Sequence, residues 1–245
     1  MLKVVGIIGY SNSGKTTLMR ALAHELKHRG HEVSAIKHTS HDFDLRGKDS
    51  ARLREVVDQV GLISPRESGV FWGQSLNLEE LISYLGSEIV LVEGFKATRT
   101  YPKIVCLSDE PDDPELGRAN DLFDGLTLCA VGPAARLREV NVPVLGRQDI
   151  GRIADLVVQK GFKLPNLNCG ACGCDRCYDL AREIVAGTRT LDDCVSIRPD
   201  TQVTIDGQPM PMNPFISRLV RGTLLGMLSS LRGFRKGKVE VTTRL

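Results

Sequence analysis

No apolar run in this chain of 245 residues approaches the ~20 that a membrane-spanning helix needs. The first residues, Met1 to Ile8, have neither the long apolar stretch nor the cleavage site of a secretory signal. The expected location is therefore the cytoplasm, with no membrane contact. An excess of charge of one sign is missing as well: 32 Lys and Arg stand against 30 Asp and Glu, a formal net charge of +2. So small a balance gives no general reason to bind nucleic acid. Long Ser-, Pro- or Gln-rich tracts are also lacking, and 25% charged with 42% hydrophobic residues is the composition of a soluble globular protein. At ~150 residues per domain, the length allows one full core and an appendage.

What is present alternates. Val4 to Ile8 is a short apolar run ending at Gly9, and a helical stretch follows with Leu18, Leu22 and Leu26 on one face and Gly30 as its stop. Further buried runs occur at Val33 to Ile36, Ile89 to Val92, Ile104 to Leu107, Leu126 to Val131 and Val142 to Leu145. Asn77-Leu78-Glu79-Glu80 opens a helix ending at Gly86, and Asp149 can cap a last one, Ile150 to Lys160, with Ile153, Leu156 and Val157 inward. The expected class is α/β, a P-loop NTPase fold whose mostly parallel sheet has helices on both faces. Gly161 to Asn168 reads as a linker, giving domains at 1–165 and 166–245. The second is a small α+β domain: clustered cysteines, a strand at Gln202 to Ile205, an Asp206-Gly207 turn, a return strand, and a helix from Asn213-Pro214 to about Leu231. Ile216, Val220, Leu224, Met227 and Leu231 would form its inner stripe. From Gly207 onward there are seven basic residues and one acidic, which points to an anionic partner or simply to a solvated helix face.

Gly9-Tyr10-Ser11-Asn12-Ser13-Gly14-Lys15-Thr16 fits G-x-x-x-x-G-K-[ST] at every fixed position, after a strand and before a helix. The glycines let consecutive N–H groups curl toward a phosphate, and the helix N-terminus adds its positive end. Gly9, Ser11, Asn12, Ser13, Gly14, Lys15, Thr16 and Thr17 are the expected nucleotide contacts. Lys15 should reach the β and γ phosphates, and the Thr16 hydroxyl should hold Mg²⁺. Glu93 ends the Ile89 run and should emerge beside that metal. Lys37-His38-Thr39-Ser40-His41-Asp42-Phe43-Asp44 lands at the same sheet edge, with Lys37 and Asp44 the leading candidates and Asp44 the acid that positions metal or water. No Asn-Lys-x-Asp occurs; Gly146-Arg147-Gln148-Asp149 is its nearest echo, so Asp149 is a candidate for the base edge.

Gly9 to Thr17, Ile36 to Asp44 with Gly47-Lys48-Asp49-Ser50, and Leu91-Val92-Glu93-Gly94-Phe95-Lys96 together resemble the molybdopterin-guanine dinucleotide biosynthesis protein B (MobB) family over the first ~165 residues. The resemblance implies GTP with Mg²⁺, slow hydrolysis, frequent homodimerisation, and service to the guanylyltransferase that attaches GMP to the molybdenum cofactor. The base preference enters through it alone.

Cys169, Cys172, Cys177 and Cys194 are spaced x2, x4 and x16, with Cys174 extra. Thiolates so spaced can wrap a [4Fe–4S] cubane, with Gly170 and Gly173 allowing close backbone approach and a short helix, Tyr178 to Ala186, before Cys194. The segment resembles the [4Fe–4S] domain of the Rnf-complex B subunit and of corrinoid iron–sulfur proteins. Zn²⁺ is the competing ligand, since Cys169/Cys172 and Cys174/Cys177 form two knuckle-like pairs, although structural zinc sites separate such pairs by ~12 to 20 residues. Reduced structural thiols are the third reading. Cys106 and Cys129, inside apolar runs, are expected as small core residues.

The resulting expectation is a slow P-loop GTPase serving molybdenum-cofactor maturation, with an attached iron–sulfur domain that contacts an anionic cofactor or a molybdoenzyme client. Beside it stand an adaptor that holds nucleotide without turnover and a nucleotide-gated electron-transfer protein.

Overall fold

A strand buried on both faces must read as a near-continuous apolar run, and the central strands of this protein do so. The computed structural model describes residues 1–39, 52–53, 56–109, 116–133, 140–197, 201–205, 208–235, 237, 239 and 241. They form two units, Met1–Lys163 and Leu164–Leu245.

In the first unit the strands are β1 (Lys3–Ile8), β2 (Val33–Lys37), β3 (Gln59–Ile63), β4 (Ser68–Trp72), β5 (Ile89–Glu93), β6 (Lys103–Cys106), β7 (Thr127–Val131) and β8 (Val144–Leu145), and the helices α1 (Lys15–His28), α2 (Leu78–Ser83) and α3 (Ile150–Lys160). Six strands make one sheet in the order β2-β5-β1-β6-β7-β8, every pair parallel. β1 lies between β5 and β6, where the strand order reverses, so the crevice beyond its carboxyl end is the natural ligand site of such a sheet. Val4 faces Leu78 and Ile82 of α2 together with Ile36, Val90, Val92 and Tyr101. Val5 points the other way, with its Cγ2 against the turn at Gly161 that ends α3. There α1 and α3 are tied by Arg29, which donates to Asp155 at 2.7 Å and to the Gly151 carbonyl at 3.0 Å. Helices thus cover both faces, and Ile153, Ala154 and Val157 are the inward side of α3.

Two expectations fail here in instructive ways. Asp149 precedes α3 but its side chain does not cap it; Oδ2 accepts from the Gly146 N–H at 2.8 Å instead. The antiparallel hairpin β3–β4 is absent from the sequence reading: Val60 is the one residue of either strand that is buried, and the alternation of β3 rests on Val60 and Leu62 alone.

The second unit holds α4 (Cys177–Ala186), a 3₁₀ turn (Leu191–Asp193), the hairpin β9 (Val203–Ile205)/β10 (Gln208–Met210) and α5 (Pro214–Ser229). Gly187, at φ 80°, ends α4 in a left-handed cap. The Asn213 side chain accepts from the Ile216 N–H at 2.9 Å and Pro214 occupies the first turn of α5. The expected inner stripe of α5 is not buried: Ser217 is its one buried residue, while Ile216, Met227 and Leu231 are exposed. Among the described residues no helix is long and apolar enough to cross a membrane.

Candidate functional site

The loop after β1 is built by its backbone. Asn12 at φ 56° and Gly14 at φ 78° put left-handed turns into it. A Cβ on Gly9 would lie 2.3 Å from Ser13 Oγ and 2.7 Å from the Cys106 carbonyl, so only glycine lets the loop close on β6. Ser13 is buried and its hydroxyl donates to the Tyr10 carbonyl at 2.8 Å. Lys15 Nζ donates to the same carbonyl and to Ser13 Oγ. Burial holds the Lys15 ammonium below the ordinary lysine pKa, with Glu93 opposing that shift and Lys96 and Lys37 adding to it. Four charged groups therefore share one crevice.

Neighbouring strands deliver them. Lys37 ends β2 and Glu93 ends β5, and the two are register partners in the parallel ladder. Glu93 is buried, accepts from the Thr16 hydroxyl at 2.8 Å and lies 3.6 Å from Lys37 Nζ, which also donates to Thr16 at 3.2 Å. A hydroxyl and a carboxylate joined at the mouth of a phosphate loop are hard oxygen ligands of the kind Mg²⁺ takes. His38 packs against Phe95 in a tilted pair, with ring centroids 4.8 Å apart and planes 60° to one another. Asp44, like His41, lies outside the described residues.

Two cations were not assigned from the sequence. Arg147 donates to the Ser13 carbonyl at 3.1 Å, the Leu107 carbonyl at 2.8 Å and Asp109 at 2.6 Å, tying the loop to the ends of β6 and β8. Lys96 lies over the Tyr10 ring at 4.0 Å. Lys96 stood in the Leu91–Lys96 motif and Arg147 in the Gly146–Asp149 segment, but neither had a contact of its own assigned from the sequence.

In the second unit all five clustered cysteines line one concavity with Pro165, Leu167 and Leu180. The turns that bring them there pass through Gly170 at φ 69° and Gly173 at φ 84°. Cys177 opens α4; its N–H donates to the Asn168 side chain at 2.8 Å, and the Asn168 N–H donates to its sulfur at 3.4 Å. Cys169 Sγ lies 3.5 Å from the Ser196 hydroxyl. Cys174, the extra thiol, faces the same space, 3.7 Å from Glu183 and 3.5 Å from Arg189, which also donates to the Cys172 carbonyl at 2.8 Å. Burial first, then the Cys172 thiol and Glu183, push Cys174 up to about 11. The thiols surround a space rather than meet at a point: among the described residues no three His, Cys, Asp or Glu are grouped so as to hold one ion. Cys106 and Cys129 are buried strand residues, each pushed by burial to about 12.

Comparison with known proteins fits this division. The model of the family described as "Molybdopterin guanine dinucleotide synthesis protein B" matches residues 4–126. A molybdopterin-guanine dinucleotide biosynthesis adapter protein of Methanocaldococcus jannaschii is 31% identical over 241 residues, covering 95% of this chain and 93% of its own. The chain belongs to the MobB family. A molybdopterin-guanine dinucleotide biosynthesis adapter protein of Escherichia coli is 30% identical over 169 residues, covering 65% of this chain and 93% of its own. The crystal structure of Bacillus subtilis MobB, 23% identical, covers 66% of this chain and 99% of its own with a TM-score of 0.53, a likeness of fold. A second family model, described as "Putative Fe-S cluster", matches residues 164–196. The MobB match contains the loop, Lys37, Glu93 and Lys96; Arg147 and Asp149 lie beyond it, and the M. jannaschii relative spans the cysteines as well.

Proposed function

We propose that the protein is a GTP-binding adapter in molybdopterin guanine dinucleotide biosynthesis that hydrolyses its nucleotide slowly. The loop N–H groups from Tyr10 to Thr17 and the Lys15 ammonium hold the β and γ phosphates and stabilise the negative charge that develops on them as water attacks. Thr16 and Glu93 are the residues that would hold Mg²⁺, directly or through a water, and the ion would neutralise part of the phosphate charge. Asp44 is the candidate for placing the attacking water, and Asp149 for the base edge. The observation that carries this reading is the Thr16–Glu93 bond at the loop mouth, inside the MobB-matching segment. Calorimetry with Mg²⁺ and GTP, GDP, ATP and ADP tests it: the reading requires GTP heat that Lys15→Ala removes, and no heat from any of the four overturns it.

The cysteine unit is read as the holder of a [4Fe–4S] cluster on Cys169, Cys172, Cys177 and Cys194. Donors aimed at the sulfurs of Cys177 and Cys194, left-handed glycines that bring backbone close, and thiols spread around a space all fit such a body better than one Zn²⁺. Bound, the cluster supplies one-electron chemistry or cross-links the unit. Iron, sulfide and zinc analysis of anaerobically purified protein distinguishes the two metals. The partners on this reading are the cytoplasmic guanylyltransferase or a molybdoenzyme client, with a homodimer as the working form and the basic α5 region meeting an anionic cofactor.

A further inference from the structure

Lys96 reaches the crevice by a route that has been built for it. Directly after Glu93 the chain turns through Gly94 at φ 96° and Phe95 at φ 50°, two successive left-handed residues, the second without glycine's freedom. Gly94 itself admits no side chain, since a Cβ there would lie 2.9 Å from that of His38. The tight turn reverses the strand, so the carboxylate of Glu93 and the ammonium of Lys96 serve the same opening. A second device fixes the backbone at this point. Lys103, 1% exposed, donates to the Lys96 carbonyl at 2.8 Å and to Asp124 at 3.2 Å, and Asp124 also receives Arg99 at 2.8 Å. A buried ammonium is costly, and here part of its hydrogen bonding is given to holding one exposed lysine's main chain.

The Lys96 head group then lies 4.0 Å over the ring of Tyr10, the second residue of the phosphate loop. A cation on an exposed aromatic face is held more weakly than one that donates a hydrogen bond to a charged group. A phosphate oxygen within reach is therefore the stronger partner. Lys37 lies 3.6 Å from the buried carboxylate of Glu93, and Glu93, Lys37 and Lys96 all act electrostatically on Lys15, three positive charges to one negative, an imbalance that a polyphosphate matches.

We infer that Lys96 is a phosphate-binding residue of this site that engages the terminal phosphate of a nucleoside triphosphate, leaving its perch on Tyr10 to do so. The inference rests on the phosphate-loop reading and goes beyond it by naming what distinguishes triphosphate from diphosphate. Lys15 is shared by both nucleotides; Lys96 is the contact that the diphosphate lacks.

Calorimetric titration of the full chain with GTP and with GDP, both with Mg²⁺, tests this in the wild type, Lys96→Met and Lys96→Arg. Lys96 is exposed, so neither substitution opens the core. Lys96→Met is expected to weaken GTP about tenfold while GDP changes by less than about twofold, and Lys96→Arg to recover most of the loss. Equal weakening of both nucleotides, or of neither, in a protein whose wild type binds them overturns the assignment of Lys96 and leaves the loop intact. Wild-type binding of neither overturns the loop reading and Lys96 together.

Discussion

In the first unit the phosphate loop hangs from β1, and β1, β5, β6 and β7 are buried almost end to end; its shape is set by main-chain bonds and by a sheet that exists whatever it binds. In the second unit the thiols hang from the turns between Pro165 and Arg176, from the start of a ten-residue helix and, for Cys194, from the end of a 3₁₀ turn. Seven apolar side chains are buried among its described residues, and three of those are Cys174, Cys177 and Cys194. Among those described residues the core is small, and two of the thiols read as cluster ligands, Cys177 and Cys194, belong to its packing. One site is a consequence of its fold; for the other, the fold is in part a consequence of the site.

The largest expected effect follows from that contrast. Cys177→Ser in the full-length protein should speed tryptic cleavage at Arg176, Arg182 and Arg189 about tenfold or more while peptides from residues 1–163 are released at the wild-type rate, as followed by mass spectrometry. Unchanged protection of the second unit would break the comparison. Lys15→Ala should reduce triphosphate affinity about 100-fold in the first unit without moving its melting temperature, because the loop is held by other groups. Glu93→Gln should reduce the gain in nucleotide affinity on adding Mg²⁺ about tenfold, read by titration with and without the ion. A smaller effect, about 1 kcal/mol in denaturant unfolding, is expected from Asn213→Ala, which removes the cap of α5. The smallest concerns Glu88, whose carboxyl is held below its ordinary pKa by His31 and then Lys3. Stability from this group is present above the ordinary carboxylate pKa and is lost as pH falls through the lowered one, so Glu88→Gln should flatten that limb of the melting curve slightly.

The sheet was legible because parallel strands buried on both sides must be written in Val, Ile and Leu, and the loop because its glycines and its lysine have few substitutes. The spacing of the cysteines was legible for the same reason. Lys96 and Arg147 were not, since a lysine acquires meaning only when Gly94 and Phe95 turn it back toward Tyr10, and an arginine only when the sheet order brings β8 within reach of Ser13. The α5 stripe misled because apolar residues at helical spacing declare a face without saying that the chain itself will cover it; of that stripe Ile216, Met227 and Leu231 remain exposed.

A sheet with every strand parallel sends all its chemistry to one rim. Lys37, Glu93, the phosphate loop and Arg147 all follow carboxyl ends of strands, while the opposite rim consists of short returns such as Gly30 to Glu32 and Ser87 to Glu88. A fluorescent label on an exposed side chain of that far side would report on the protein from a place where the nucleotide never arrives.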